Sequence, residues 1–271
     1  MAEIDNLHVY VLGTAGAGKS KLTAAAKLWM TNQGFDAITV NLDPGAESLP
    51  YDPDVDIRDW VRLSDVMEQY ELGPNGAQVA AADMLALNAP EIKEIIGGYR
   101  ADYVLLDTPG QIELWLFRES GKFLTEFLAP GESALCYLLD PFLAKEPSGF
   151  VSQMMLAATA QFRFQLPLLN LLSKSDLVGK EDLARVLGWM DDTDTLYDEL
   201  TRQVGMYHEL NLSMLRVLRE LGTYTRLTPV SGQTMEGLED VYSFLQNSFA
   251  GGEDIESGVE PPERRDGRDG P

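Results

Sequence analysis

The chain of 271 residues contains a single cysteine, Cys136, and no apolar run close to the ~18 residues that a membrane-spanning helix needs. One cysteine cannot form an internal disulfide, and Cys136 lies in an apolar segment, which favours a small core residue over a nucleophile. The first five residues lack the basic region of a secretion signal. These absences predict a protein of the cytoplasm with no membrane segment.

Basic residues are scarce as well. The chain has 43 acidic residues against 21 Lys and Arg, a formal net charge of −22, and only eight of the basic residues are Lys. Such a surface repels nucleic acid and anionic membranes, so direct binding to either is not expected. Because the acidic residues are spread along the chain, we interpret it as a halophilic protein from a salt-accumulating archaeon. The alternative is an acidic protein of an ordinary cytosol.

Six apolar runs of β type alternate with helical patterns. Most of these runs are flat rather than alternating, which is typical of parallel strands that are covered on both faces. The alternation of strand and helix predicts an α/β fold with a doubly wound, mostly parallel sheet. The predicted strands are 7–12, 37–42, 102–106, 134–139, 166–172 and 226–230, and the predicted helices are 19–32, 61–70, 76–96, 113–127, 153–164 and 235–249.

The first predicted strand runs into Gly-Thr-Ala-Gly-Ala-Gly-Lys-Ser, which fits the phosphate-binding pattern GxxxxGK[ST]. Its glycines let the backbone curl with the N–H groups pointing inward, so that they form an anion site at a helix N-terminus. Lys19 is expected to reach the β- and γ-phosphates, and the Ser20 hydroxyl to ligate Mg²⁺. The predicted phosphate-binding residues are Gly13, Thr14, Ala15, Gly16, Ala17, Gly18, Lys19, Ser20 and Lys21.

The second predicted strand ends in Asn-Leu-Asp-Pro-Gly, which places Asp43 at the carboxyl end of the sheet. Ligand groups gather at this edge, so Asp43 is expected close to the metal and the γ-phosphate. We predict that Asp43 holds either a metal-bound water or the attacking water. The alternative is that Asp-Pro-Gly forms only a turn.

The third predicted strand ends in Leu-Leu-Asp-Thr-Pro-Gly-Gln. A buried strand that leads to Asp107 is the Walker B arrangement, with the carboxylate near Mg²⁺. The N–H of Gly110 is predicted to bond the γ-phosphate, where glycine allows a close backbone approach. Gln111 and Glu113 carry groups that can orient or polarise a water. For Glu113 the alternative is simple stabilisation of a helix N-terminus.

The sequence Ser-Lys-Ser-Asp at the end of the fifth predicted strand resembles the NKxD guanine-reading motif. The Asp176 carboxylate can accept two hydrogen bonds from guanine, whereas adenine presents the opposite polarity. Lys174 is expected to stack its stem on the ring. Ser173 stands where Asn is usual, which removes an amide that would brace the loop. Ser231 and Gly232, after the last strand, are predicted to present N–H groups to the guanine, or else to form an ordinary turn.

A Gly-Pro-Asn tripeptide lies between the second and third predicted strands. Together with GTAGAGKS, NLDPG, DTPGQIE and SKSD in that order, it makes residues 7–247 resemble the GPN-loop GTPases. The resemblance implies a P-loop NTPase fold of the signal-recognition and MinD-like class, with GTP and Mg²⁺ as cofactors. It also implies a homodimer in which Gly73, Pro74 and Asn75 enter the partner's site, and protein clients in the assembly of a complex such as RNA polymerase.

The predicted organisation is one GTPase domain over 1–250, followed by an acidic, disordered tail over 251–271. The domain carries the Gly-Pro-Asn insertion near 71–77 and a helical insertion over 180–222, expected to pack over the nucleotide side.

Two alternative functions share these motifs. One is a nucleotide-gated assembly or chaperone module with negligible turnover of its own. The other is a P-loop ATPase or kinase with 180–222 as an acceptor lid. A kinase is disfavoured because that segment has few basic residues for an anionic acceptor. A MinD-type ATPase is disfavoured because Thr14 replaces the Lys of its loop.

Overall fold

The computed structural model describes residues 6–128, 132–202, 208–220 and 226–249. Within these ranges seven strands form one sheet, and every neighbouring pair of strands is parallel. Helices cover both faces, which confirms the predicted doubly wound α/β fold. The strands are β1 (Leu7–Gly13), β2 (Ala37–Asn41), β3 (Val55–Asp56), β4 (Tyr103–Asp107), β5 (Ser133–Leu139), β6 (Leu168–Leu172) and β7 (Leu227–Pro229).

The strand order is β3-β2-β4-β1-β5-β6-β7, so β1 has β4 on one side and β5 on the other. The winding direction reverses beside β1, and ligand groups of such sheets gather at this point, outside the carboxyl ends. The loops that follow β1, β2 and β4 therefore meet at one edge. Strand β3 is absent from the predicted strands, because two residues are too few to show a periodic pattern.

The helices lie close to their predicted positions. The predicted helix 113–127 is instead two helices that meet near Phe117, and a Cβ on Gly121 of the second would collide with the carbonyl oxygen of Trp115. The helices are α1 (Lys19–Asn32), α2 (Leu63–Gln69), α3 (Pro74–Gly97), α4 (Ile112–Leu116), α5 (Glu119–Leu128), α6 (Pro141–Ala144), α7 (Pro147–Phe164), α8 (Lys180–Asp191), α9 (Thr193–Arg202), α10 (His208–Glu220) and α11 (Leu238–Phe249).

Two apolar cores lie on opposite faces of the sheet. One contains residues of α3, α5 and α7, and the other contains residues of α1 and α11. Along β1, Tyr10 belongs to the first core and Val9 to the second, which explains why the strand is apolar at successive positions. Cys136 is buried in the second core, where burial raises the pKa of its thiol to about 12.

The helical insertion comprises α8, α9 and α10, and its apolar side packs against α7. Trp189 of α8 is fully buried, with its ring centroid 5.3 Å from that of Phe150 of α7. The insertion therefore extends the first core. Its expected position over the nucleotide side stays a prediction. The predicted tail, 251–271, lies outside the described residues. Among the described residues, none of the helices combines the length and apolar content needed to cross a bilayer.

Candidate functional site

The loop between β1 and α1 turns back over the N-terminus of α1. Gly16 and Gly18 have φ angles of 75° and 99°, in the left-handed region that favours glycine. A Cβ on Gly13 would come within 2.9 Å of the Leu138 carbonyl oxygen of the neighbouring strand, so a side chain is excluded there as well. The three glycines predicted from the motif are therefore required by this backbone path.

The Lys19 side chain folds back into this loop. Its Nζ donates hydrogen bonds to the carbonyl oxygens of Gly13, at 3.0 Å, and Thr14, at 3.2 Å, and only 6% of the residue is exposed. Burial lowers the pKa of Lys19, while the nearby carboxylates of Asp107 and Asp43 act in the opposite direction. The loop thus holds a desolvated amine beside a helix N-terminus, which suits an anionic ligand.

Asp107 ends β4 and is 1% exposed. Its Oδ2 accepts a hydrogen bond from the Tyr51 hydroxyl at 3.0 Å. Burial raises the pKa of Asp107, whereas interactions with the hydroxyls of Ser20 and Tyr51 and the charge of Lys19 lower it. Among the described residues, no donor makes a well-aligned hydrogen bond to Oδ1, although the Ser20 hydroxyl is near enough to influence the carboxylate. Ser20 and Asp107 therefore present adjacent oxygens of the kind that Mg²⁺ prefers.

Asp43 joins two loops at the carboxyl edge of the sheet. Its Oδ1 accepts the backbone N–H of Gly45 at 2.9 Å, and its Oδ2 accepts that of Gly110, also at 2.9 Å. The Asn41 side chain accepts the N–H of Asp43 at 3.0 Å and so fixes the residue from behind. The N–H of Gly110, which the sequence assigned to a γ-phosphate, is thus bonded to Asp43 in this structure.

A mostly apolar pocket of about 130 Å³ opens beside these groups, between α3, α4 and α5. Asp43, Gly110 and Gln111 form its polar side, together with Ala15 of the phosphate loop. Gln78 of α3 also lines it, and the buried Oε1 of Gln78 accepts no hydrogen bond from the described residues. Trp115 and Leu85 are among the residues of the apolar wall. Gln111 therefore lies in the same pocket as Asp43 and Gly110, and its role toward water stays a prediction.

Glu113 does not line this pocket. It lies in the first turn of α4 with an exposed side chain, which is where an acidic residue stabilises a helix N-terminus. Glu113 therefore has the position of the alternative reading, in which it stabilises a helix N-terminus. Gln111 and Asp43, in contrast, line the same pocket.

The Gly-Pro-Asn tripeptide starts a long helix. Gly73 precedes α3, Pro74 is its first residue and Asn75 its second, so the predicted insertion is largely helical. All three residues are exposed, and α3 becomes buried at Ala77. The Asn75 side chain is therefore accessible to another molecule. It does not line the pocket beside Asp43.

The residues predicted to read the base come together on the other side of the phosphate loop. The Ser231 hydroxyl donates to Asp176 Oδ1 at 2.6 Å and accepts the backbone N–H groups of Gln233 and Thr234, so it fixes one oxygen of the carboxylate. Lys174 Nζ lies 2.8 Å from Asp140 Oδ2. These elements border a pocket of about 160 Å³, lined by Gly18, Lys21, Ser173, Lys174, Asp176, Leu177, Gly232 and Gln233.

Ser173 braces this region instead of loosening it. Its hydroxyl donates to the Ala17 carbonyl oxygen at 2.6 Å, and the residue is 4% exposed. The expectation that serine removes a brace was therefore wrong, because the hydroxyl itself links β6 to the phosphate loop. On the same side, a Cβ on Gly232 would come within 2.9 Å of the Lys21 carbonyl oxygen, so the loop after β7 packs directly on α1.

Four residues that sequence reasoning missed bond the predicted ones or line the same pocket. Tyr51 bonds Asp107, Asn41 bonds Asp43, Asp140 bonds Lys174, and Gln78 lines the pocket beside Asp43. Except for Asn41, which stands two residues before Asp43, these residues come from elements distant in the chain, so no motif spacing reveals them. Within the described residues, no group of three or more His, Cys, Asp or Glu side chains forms a metal cluster.

The site defines a P-loop nucleotidase. A strand leads through a glycine loop with a buried lysine into a helix, and the neighbouring strand ends in a buried aspartate. The comparisons with known proteins agree. A family described as "conserved hypothetical ATP binding protein" matches residues 11–251. A GTPase from Pyrococcus abyssi, solved in its apo form, superimposes with a TM-score of 0.80 at 31% identity, covering 89% of this chain and 96% of that one.

Two curated relatives place the chain more narrowly. GPN-loop GTPase 3 of Yarrowia lipolytica is 34% identical over 249 residues, which cover 88% of this chain and 90% of the relative. GPN-loop GTPase 1 of Dictyostelium discoideum is 31% identical over 239 residues, which cover 87% of this chain but only 60% of that longer relative. The chain belongs to the GPN-loop GTPase family, as the resemblance predicted, and it is a P-loop GTPase.

Proposed function

We propose that this GTPase depends on Mg²⁺ and works as a homodimer that changes shape with its nucleotide. The observation that carries the proposal is the convergence of the Gly13–Ser20 loop, Asp107 and Asp43 at the carboxyl edge of the sheet. Lys19 is held in the loop by carbonyl oxygens that a phosphate group can replace as its partner. Catalysis at such a site consists mainly of positioning and charge neutralisation.

For the metal, we propose Ser20 and Asp107 as ligands, with Asp43 acting through the water shell. Mg²⁺ usually takes one or two protein carboxylates and completes its shell with waters and phosphate oxygens, so this small oxygen set fits. The bound ion would neutralise charge on the phosphates. Tyr51 keeps the Asp107 carboxylate in place by bonding its Oδ2.

For the attacking water, we propose Gln111 and Asp43 as the positioning groups. Gln111 and Asp43 both line the pocket, beside Gly110. Once the Asp43 carboxylate no longer accepts the Gly110 N–H, it can accept a hydrogen bond from a water instead. Glu113 remains a candidate to polarise water only if α4 moves, since its side chain is exposed.

For the base, we propose guanine, read by the Asp176 carboxylate, with the stem of Lys174 against the ring. Ser231 occupies one Asp176 oxygen, which orients the carboxylate toward the pocket. Gly232 and Lys21 close the pocket from the other side. A carboxylate acceptor matches the guanine edge and opposes adenine.

For the dimer, we propose that Gly73, Pro74 and Asn75 reach the γ-phosphate side of the partner's site. Their exposure at the start of α3 supports this, as does the family resemblance. Protein clients follow from the same resemblance, with assembly of a complex such as RNA polymerase as the proposed role. The acidic composition supports function in the cytoplasm of a halophile, at high salt.

The test is phosphate release by the purified protein in molar KCl. GTP with Mg²⁺ should be hydrolysed, ATP should not, and chelation of the metal or Lys19→Ala should abolish turnover. Light scattering with a non-hydrolysable GTP analogue should give twice the mass of a single chain. If the protein binds GTP but hydrolyses it no faster than the uncatalysed background, the nucleotide-gated assembly module is favoured. Failure to bind guanine nucleotides, or a single chain in the loaded state, would overturn the proposal.

A further inference from the structure

Lys174 does not project freely into the base pocket. Its Nζ bonds Asp140 Oδ2 at 2.8 Å, and the pair is only partly exposed, with 27% of the lysine side chain and 15% of the aspartate side chain accessible. The same Nζ lies 5.7 Å from the ring centroid of Phe142. Lys174 itself has a φ angle of 52°, so a left-handed backbone already directs where its side chain starts. Both ends of the lysine are therefore fixed.

Asp140 is held more firmly than a surface residue would be. Its backbone N–H donates to Gln153 Oε1 at 2.7 Å, and its carbonyl oxygen accepts Gln153 Nε2 at 3.1 Å. Gln153 belongs to α7 and is 3% exposed. Asp140 Oδ1 accepts the N–H of Phe142 and caps α6, which leaves Oδ2 for the lysine. A buried amide on α7 thus fixes the backbone of Asp140, the residue after β5 whose carboxylate bonds Lys174.

The bond to Asp140 determines the path of the lysine stem. A Cβ placed on Gly18 would lie 3.7 Å from Lys174 Cε and 4.0 Å from Cγ, so the stem runs over the phosphate loop at the edge of the pocket. A flat hydrocarbon wall of this kind suits the face of a purine ring. Lys174 and Asp176 line the same pocket, and Asp176 is the acidic residue of that lining. Without the Asp140 carboxylate, attraction between the two charges would draw the ammonium toward the carboxylate that is proposed to read the base.

We propose that Asp140, held by Gln153, is a positioning residue for nucleotide recognition. It keeps the Lys174 stem extended along the base pocket and keeps its charge away from Asp176. The inference rests on the proposed guanine site, and it adds a residue that no nucleotide motif contains.

The test begins with Asp140→Asn, which keeps the shape and the helix cap but removes the charge. The dissociation constant of a fluorescent GDP analogue should rise about fivefold, through faster release, as expected for loss of one charge-assisted hydrogen bond. The same factor should appear in KM for GTP, with kcat and melting temperature close to wild type. Asp182→Asn is the matched control, because it breaks the exposed pair with Arg185 on α8, and its nucleotide affinity should not change.

A double-mutant cycle with Lys174→Met tests whether Asp140 affects nucleotide binding through Lys174 or independently of it. If Asp140 acts through Lys174, adding Asp140→Asn to Lys174→Met should not weaken binding further. Additive effects, an unchanged affinity in Asp140→Asn while Lys174→Met weakens binding, or a fall in melting temperature that accounts for the loss would each overturn the inference. If Lys174→Met itself leaves guanine affinity unchanged, the proposed base site fails first.

Discussion

Asp43 Oδ2 accepts the backbone N–H of Gly110 at 2.9 Å, which ties the loop after β2 to the loop after β4. The carboxylate therefore occupies the donor that the sequence assigned to a γ-phosphate. One N–H cannot serve both acceptors with full strength, so binding of a triphosphate at Gly110 requires Asp43 to move. If the γ-phosphate binds at Gly110 as proposed, the position of Asp43 is coupled to the nucleotide.

Asp43→Asn should loosen this connection, because an amide cannot accept both backbone N–H groups. In the nucleotide-free protein, hydrogen exchange at Gly110 should be about fivefold faster, as expected for the loss of roughly 1 kcal/mol. Turnover should fall about 100-fold, since the residue is also proposed to position water. Mass spectrometry of the peptide around Gly110 measures the exchange, and unchanged exchange would show that the bond does not restrain the loop.

Ser173→Ala should lower the melting temperature by about 2–4 °C, because removing the bond to Ala17 leaves a buried carbonyl without its partner, at a cost of about 1 kcal/mol. Nucleotide affinity should fall as well, since the bond supports the phosphate loop. Ser175→Ala is the matched control, because the buried Ser175 hydroxyl has no hydrogen-bond partner among the described residues. Equal effects of the two substitutions would argue against the brace.

Asp176→Asn should shift the preference from GTP toward XTP, because the amide donates a hydrogen bond where the carboxylate accepts one. Competition binding with the two nucleotides measures the shift. A retained preference for guanine would remove Asp176 from base recognition.

Asn75→Ala should lower kcat about 100-fold with little change in GTP affinity, as expected for loss of a polar group that acts in the transition state. Mixing it with Lys19→Ala tests action across the dimer, because the mixed dimer contains one site with an intact loop and an intact partner asparagine. Partial recovery of turnover is expected. As the control, mixing Asn75→Ala with the Lys19→Ala/Asn75→Ala double variant should restore no turnover. If mixing Asn75→Ala with Lys19→Ala also restores no turnover, Asn75 acts in its own subunit's site or in none.

Cys136 should resist alkylation at pH 8 until the protein unfolds. With a thiol pKa raised by burial to about 12, only about one thiol in ten thousand is ionised at this pH, and the side chain is 2% exposed. Reaction with a fluorescent maleimide in buffer and in denaturant provides the comparison. Rapid labelling of the native protein would contradict its burial in the core.

The strands and the phosphate loop were predictable because their signals are local. The apolar run of β1 reflects two cores, one on each face, and the glycines of the first loop are required by its backbone path. The doubly wound sheet followed from the alternation of such runs. The geometry also brings Asp43, Gly110 and Gln111 to one pocket, although their chemical roles remain predictions.

The features that sequence reasoning missed depend on contacts between distant segments. Asp140 meets Lys174 only because β5 and β6 are neighbours in the sheet, and Tyr51 reaches Asp107 from a loop 56 residues away. The break between α4 and α5 depends on the close approach of Gly121 to Trp115. Ser173 was misjudged because a hydroxyl was compared with the usual amide without knowing that the Ala17 carbonyl lies within its reach.

Trp115 forms part of the wall of the pocket beside Gly110, and its indole Nε1 has no hydrogen-bond partner among the described residues. An indole changes its emission when its surroundings become wetter or gain an acceptor. The polypeptide therefore carries its own fluorophore next to the junction of Asp43 and Gly110, and changes at that junction can be followed optically without attaching a dye.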